Sequence, residues 1–351
     1  VTRIGILAVS DVVTTARYFE RAAAERGLEV VALTSVDPAQ TQDLAWLLAV
    51  DPFFAPPGAL RHAACPTLAC VIDVHQQLAP RLAYARYFDY VFAAQHDYVA
   101  DFSALPHPSA HWLALGCDRE VHFVPGLPRT IDVGFVGKLG HPGSDRHTTL
   151  STVLAAFATN DWGRSYAPRE MGEIYSRSKI VFNKSINGDL NMRFFEGLAA
   201  GALLVTDRIG NGLDRMGQDG VHFVTYSTIK EAIETIRYYL AHEDERAAIA
   251  LAGHRHVFAH HTYAHRLDEM LAVVAAHPQA RAPARSVSEA RDAVWRSEHM
   301  RLGGAPVAEG LAMLAEGYLS LPLLANVAVG VARGIVRPLR QRLQRPARGK
   351  P

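Results

Sequence analysis

After Glu316 the chain has no acidic residue, although Arg333, Arg337, Arg340, Arg342, Arg345, Arg348 and Lys350 follow. Cysteine is scarce: Cys65, Cys70 and Cys117 are an odd set with no Cys-x-x-Cys spacing. That excludes a disulfide scaffold or a cysteine-built zinc site and predicts a reducing compartment, the cytoplasm. No apolar run reaches the length of a membrane-spanning helix. The first residues go straight into Arg3-Ile4-Gly5-Ile6-Leu7-Ala8-Val9, a strand pattern without a charged leader and cleavage site, so no signal peptide is expected. The net charge is only +1, and the basic tail lacks interleaved aromatics. A nucleic-acid partner is therefore not expected.

What is present is ordinary for a globular protein: 351 residues, 49% apolar and 20% charged, enough for two or three domains. Apolar strand patterns occur at 3–9, 28–34, 66–73, 90–94 and 111–115, with helical patterns between several of them, the first at 13–26. Residues 45–50 read as a helix end or a strand. A Pro/Gly segment at 124–130 marks a linker. The pattern then restarts with strands at 131–137, 180–183, 202–206 and 222–226, and helices at 146–158, 191–200, 228–241 and 243–259. Alternating strands and helices predict parallel sheets with helices on both faces. The expected fold class is α/β, as two tandem Rossmann-like units facing a cleft: residues 1–128, then 129–277. Residues 278–351 would add a linker (278–291), helices and the basic tail. In such sheets ligands bind at the carboxyl ends of strands.

The most informative stretch runs from Asn187 to Asp207. A polar loop leads into a helix whose apolar face is Phe194, Phe195, Leu198 and Ala199. Gly201 is placed to end that helix in a left-handed conformation, and Ala202 to Val205 form a buried strand. Glu196 sits mid-helix among apolar residues, where an unpaired charge is costly; a ribose diol is one partner that would satisfy it. The alternative is an ordinary i−3 pair with Arg193. Successive strand ends of the second unit also collect anion-binding features. Gly137 and Lys138 follow one strand, Arg146 opens the next helix, and Lys184 follows another strand. Asn187, Gly188 and Asn191 precede the helix bearing Arg193. A diphosphate suits such a helix N-terminus. Each cation taken singly also fits a solvated surface charge, and the glycine spacing is neither a dinucleotide fingerprint nor a Walker loop.

Three segments carry a resemblance. They are Asp132-Val133-Gly134-Phe135-Val136-Gly137, Asn191-Met192-Arg193-Phe194-Phe195-Glu196-Gly197-Leu198-Ala199-Ala200-Gly201, and Asp219-Gly220-Val221-His222-Phe223 with His261-Thr262-Tyr263. Together they resemble the glycosyltransferase domain of the CgeB-like (spore maturation protein) group, itself similar to retaining family 4-like glycosyltransferases of the GT-B fold. The resemblance spans roughly residues 130–270. It extends more loosely to Ile72-Asp73-Val74-His75, Phe88 to Phe92 and Gly116 to Glu120. It implies a bacterial enzyme using a nucleotide-diphosphate sugar as co-substrate, with a saccharide or other hydroxyl acceptor and no metal or resident cofactor. By the same resemblance Glu196 matches the second acid of an E-x7-E motif, the one that contacts ribose. The first acid would stand at 188, where this chain has Gly188, with Asp189 adjacent.

In the first unit the candidates are Asp73 and His75, at a strand's carboxyl end, with His96 at the next. A strand-end histidine either faces the transferred sugar, as the resemblance implies, or caps structure. His254, His256, His260, His261 and His265 include i, i+4 pairs, but no acidic third ligand accompanies them, and structural histidines are the expectation. The tail admits two readings, an apolar segment with cations at an anionic membrane surface or a core helix with a disordered basic end, and the second is preferred. Two rivals to a transferase remain: a sugar-nucleotide epimerase of the same fold, and a nucleotide-sugar-binding or assembly protein without activity.

Overall fold

The computed structural model describes residues 1–8, 14–51, 57–104, 109–302, 313–315, 317 and 320–343. The first sheet has six strands: β1 (Arg3–Leu7), β2 (Glu29–Leu33), β3 (Leu47–Val50), β4 (Thr67–Val71), β5 (Tyr90–Ala93) and β6 (Ala110–Trp112). They lie in the order β2-β1-β3-β4-β5-β6, and every pairing is parallel. All residues of β3 and β4 are buried, as continuous apolar runs between two helical layers require. The ambiguous segment at 45–50 is therefore a central strand. Around the sheet lie α1 (Thr14–Glu25), α2 (Pro57–Arg61), α3 (Leu78–Ala85) and α4 (Val99–Ser103).

The short α5 (Arg119–His122) leads to a second, four-stranded parallel sheet: β7 (Ile131–Gly134), β8 (Ser178–Phe182), β9 (Leu203–Asp207) and β10 (Val224–Tyr226), ordered β10-β9-β8-β7. Its helices are α6 (Asp145–Leu154), α7 (Pro168–Arg177), α8 (Met192–Ala199), α9 (Ile229–Ala241) and α10 (Glu243–His260). The helix expected at 146–158 stops at Leu154. The sequence pattern missed α7, whose buried face is only Met171, Gly172, Tyr175 and Ser176. Gly172 is required there, because a Cβ would lie 2.0 Å from the Val121 carbonyl oxygen of α5.

The two units share one apolar cluster. Ala94, Leu115 and Cys117 from the first pack with Phe194, Phe195, Leu198 and Val257 from the second. The chain crosses between units twice, side by side. The Cys117 amide donates to the His261 carbonyl at 2.9 Å, and the Tyr263 amide donates to the Cys117 carbonyl at 3.1 Å. After the second crossing, α11 (Tyr263–Ala276) returns to the first unit, where Tyr263, Leu267 and Met270 join the core of α1, β1 and β4.

The stretch read from composition as a linker lies against the first unit. Ala280, Ala282 and Ala284 are buried, the Ala282 amide donates to Asp89 at 2.7 Å, and Arg285 pairs with Asp89 at 3.2 Å. Small side chains allow this close path, and the same composition resembles a linker when read alone. Next, α12 (Glu289–Arg301) is held to the first unit by Arg86–Glu298 at 2.7 Å and Arg61–Asp292 at 3.3 Å. The last described element is α13 (Leu321–Leu343), packed on α12 through Met300, Leu323 and Val327. The tail beyond it, 344–351, lies outside the described residues.

Candidate active site

The carboxyl ends of β7, β8 and β9 converge with the N-terminus of α8, and Arg193 ties the ends of β7 and β8 together. Its Nε and Nη2 donate to the Val136 carbonyl (3.2 and 2.7 Å), its Nε to the Tyr175 hydroxyl (3.1 Å), and its Nη1 to Asn183 Oδ1 (2.9 Å). The guanidinium lies 4.4 Å from the centroid of the Phe135 ring, a cation–π contact. Gly137, at φ 141°, has room for no side chain, since a Cβ would stand 2.3 Å from Arg193 Nη2. Arg146 is buried and bridges the neighbouring ends: Nε and Nη2 donate to the Lys138 carbonyl (3.2 and 3.0 Å) and Nη1 to the Lys184 carbonyl. Burial, with Arg193 nearby, pulls the Arg146 guanidinium down to about 10.

Lys184 is held by Asp145 at 2.9 Å and Asp207 at 3.4 Å. Asp207 accepts from the Ser185 amide at 2.9 Å and hydroxyl at 2.5 Å. Lys138 is exposed and has no acidic partner among the described residues. Of the four cations expected to meet a diphosphate, three thus already have partners that fix the strand ends, and Lys138 stands free.

The loop before α8 turns through two left-handed residues, Asn187 (φ 53°) and Gly188 (φ 76°). A Cβ at Gly188 would meet nothing within 4 Å, so only its backbone conformation disfavours an acid there. Asp189 is buried, accepts from the Ile186 amide, and closes the loop on itself. Asn191 caps α8 with extended backbone (φ −84°, ψ 170°), yet its side chain makes no capping bond. Its Oδ1 is buried without a hydrogen-bond partner among the described residues. Gly201 ends the helix at φ 68°, as its placement in the sequence predicts. Arg129, which the sequence reading left inside a linker, donates to the Ala200 and Gly201 carbonyls at 2.9 and 2.6 Å and satisfies that end.

Glu196 is 7% exposed. Its carboxylate makes no hydrogen bond or ion pair with a described residue, and the i−3 pair with Arg193 is not formed. Burial pushes its carboxyl up to about 7, with the Arg193 charge acting against that rise.

Facing this surface, Asp73 follows β4 in a left-handed conformation (φ 50°) and is exposed. The His75 side chain is fully buried, its Nε2 stands 4.0 Å from Asp189 Oδ2, and neither ring nitrogen has a hydrogen-bond partner among the described residues. Burial raises the Asp189 carboxyl, while the Ile186 amide, His75 and Arg146 lower it. Gln95 joins the two units: its Oε1 accepts from the Leu190 amide at 3.0 Å and from Asn211 Nδ2 at 2.5 Å. Asp97 and Asn211 exchange two further bonds at 3.2 and 3.1 Å. His96 contacts Asp97 at 3.1 Å and packs edge-on to Trp112.

Sequence reasoning missed Tyr175, Asn183, Asp207 and Asn211. Only the strand-end positions of Asn183 and Asp207 could have signalled them. Elsewhere, His254 Nδ1 donates to the Ala199 carbonyl (2.8 Å), His256 and His261 meet at 3.3 Å, and His265 meets the Thr262 hydroxyl at 2.7 Å. No cluster able to hold a metal ion occurs among the described residues.

Helix α8 and the strand end beside it thus carry a buried carboxylate and a buried amide oxygen without partners among the described residues, and an exposed lysine. Residues 129–272 match the glycosyl transferase-like family model. No curated relative matches the sequence. Among solved structures the chain is similar to Anabaena HepE in complex with UDP and glucose (TM-score 0.57, 12% identity, 79% of this chain and 100% of that chain). It is also similar to the sucrose-phosphate synthase of Thermosynechococcus elongatus (0.55, 12%, 79% and 100%) and to a glycosyltransferase from Rickettsia africae (0.53, 10%, 80% and 99%). At such identities the likeness shows the fold. The chain has the GT-B architecture, two Rossmann-like units across a cleft, and its second unit carries a glycosyl transferase-like domain.

Proposed function

We propose that the protein is a CgeB-like glycosyltransferase that moves a sugar from a nucleotide-diphosphate donor to an acceptor hydroxyl, with retention. The observation that carries the proposal is Glu196: a buried carboxylate without a protein partner, one turn into a helix whose N-terminus opens on the cleft. A ribose diol would give it two donors. The diphosphate would lie on the free amides of Asn191 and Met192, with Lys138 as the mobile cation. Arg146, Lys184 and Arg193 would act through geometry, holding three strand ends in register so that those amides and Lys138 converge. Asn187 and Gly188 shape the loop, and Gly137 lets Arg193 approach.

In the reaction the bond between the anomeric carbon and the diphosphate oxygen breaks while the acceptor oxygen bonds that carbon. The acceptor proton passes to the departing diphosphate. No cofactor or metal enters this reading. His75 and Asp189, 4.0 Å apart, would contact the sugar hydroxyls from one side, and Asp73 would meet the acceptor.

HepE was solved with UDP, so UDP is the first nucleotide to test. Calorimetry with UDP, GDP, ADP and TDP, followed by turnover of the corresponding sugars with product identification, tests the reading. Binding of one nucleotide that Glu196→Ala abolishes, and release of that nucleotide with a glycosylated acceptor, are expected. An isomerised sugar nucleotide would establish the epimerase alternative, and binding without any product the non-catalytic one.

A further inference from the structure

The C-terminal helix α13 uses one face and leaves the other bare. The covered face is fixed by its contacts with α12: Leu323 is 1% and Val327 6% exposed, Asn326 donates to Ser297 at 3.1 Å, and Gly330 sits close against Met300. Opposite it, Leu321 (84%), Leu324 (42%) and Val329 (41%) are exposed, as are Ala325, Ala328 and Ala332. At 100° per residue these six residues lie within an arc of about 140°. Arg333, also exposed, stands just beyond one border of that stripe, and the sequence that follows carries Arg337, Arg340, Arg342, Arg345, Arg348 and Lys350 without an acid. No helix among the described residues is long and apolar enough to cross a membrane.

We infer that α13 is an interfacial helix that lays its apolar stripe on an anionic lipid surface. An apolar stripe edged by cations is the pattern that binds such a surface, by burying apolar area among the acyl chains and pairing the arginines with lipid phosphates. The charge argues against a second copy of the chain as the cover. Two copies meeting through this helix would bring two arginine-rich segments together, and no acid follows Glu316 to compensate. The sequence alone favoured a disordered basic end. The helix register and the covered face, which the structure supplies, change that reading.

Vesicle co-sedimentation of the full chain tests the inference, using equal parts of phosphatidylcholine and phosphatidylglycerol against phosphatidylcholine alone. Partition at least about tenfold stronger onto the anionic vesicles is expected. Two double variants, Leu324→Ser with Val329→Ser and Arg337→Glu with Arg340→Glu, should each lower it by about tenfold or more. Leu324 and Val329 are exposed, so the thermal transition of their variant should stay put. Equal partition onto both vesicles, or binding that neither variant alters, overturns the inference. So does a concentration-dependent dimer that the Leu324/Val329 variant dissociates, since the stripe would then be a contact between copies.

Discussion

The two faces of the cleft are built differently. On the second unit, arginines, amides and carboxylates at the strand ends are mutually satisfied: Arg193 joins β7 to β8 and α7, Arg146 joins the residues after β7 to those after β8, and Asp207 anchors Ser185 and Lys184. On the first unit, Asp73 is exposed and the His75 ring nitrogens have no hydrogen-bond partner among the described residues. One face is pre-ordered and keeps few open groups. The other is sparser, with Gln95, His96 and Asp97 partnered and Asp73 exposed. On the proposed function, a preorganised donor side facing a sparser acceptor side suits rigid donor recognition, because fixed dipoles need no reorganisation when charge develops on a leaving group.

Three substitutions test that contrast, the largest effect first. Arg193→Ala removes several charge-assisted hydrogen bonds at once and should lower stability by about 3 kcal/mol; chemical denaturation reads it. A variant as stable as the parent would mean that the second face is not ordered by this arginine. His75→Ala removes two unsatisfied buried nitrogens and should leave the thermal transition unchanged or raise it, yet cut turnover roughly 100-fold with nucleotide affinity intact. A loss of stability instead of turnover would make His75 a structural residue like those opposite.

The smallest effect is a pH dependence. Burial holds the Glu196 carboxyl at about 7, above its ordinary 4.5, so the folded protein holds an extra proton between those values. Its stability therefore falls as pH rises through that window. Ribose hydroxyls donate to the ionised form, so nucleotide affinity should rise about tenfold from pH 6 to pH 8. In Glu196→Gln both trends should vanish. A pH profile of binding identical in parent and variant would remove Glu196 from the ligand.

The sequence makes the alternation of strands and helices legible, because parallel strands buried on both faces leave unmistakable apolar runs. It also makes Glu196 legible, since an acid inside an apolar helical face demands an explanation. It conceals which partners the cations take. Arg193 and Arg146 look like ligand-facing charges when only strand ends are known, and their engagement with the Val136, Lys138 and Lys184 carbonyls depends on distances no spacing encodes. Helix α7 was hidden for a related reason: its inward face is a glycine, a serine, a tyrosine and one methionine, which carry little hydrophobic periodicity. The alanine- and proline-rich segment after His277 was misleading because small residues serve close packing as well as flexibility.

The two adjacent crossings at Cys117 and Thr262 have a consequence for synthesis. The first unit's core needs Tyr263, Leu267 and Met270, residues made long after its last strand. While the ribosome is still translating the second unit, the first is a sheet with part of one face bare, and its completion waits for a contact of very high sequence separation. The second unit can close earlier, from residues that lie together in the chain. The order of maturation is thus the reverse of the order of synthesis, and the incomplete first unit is the species that a chaperone would have to shield.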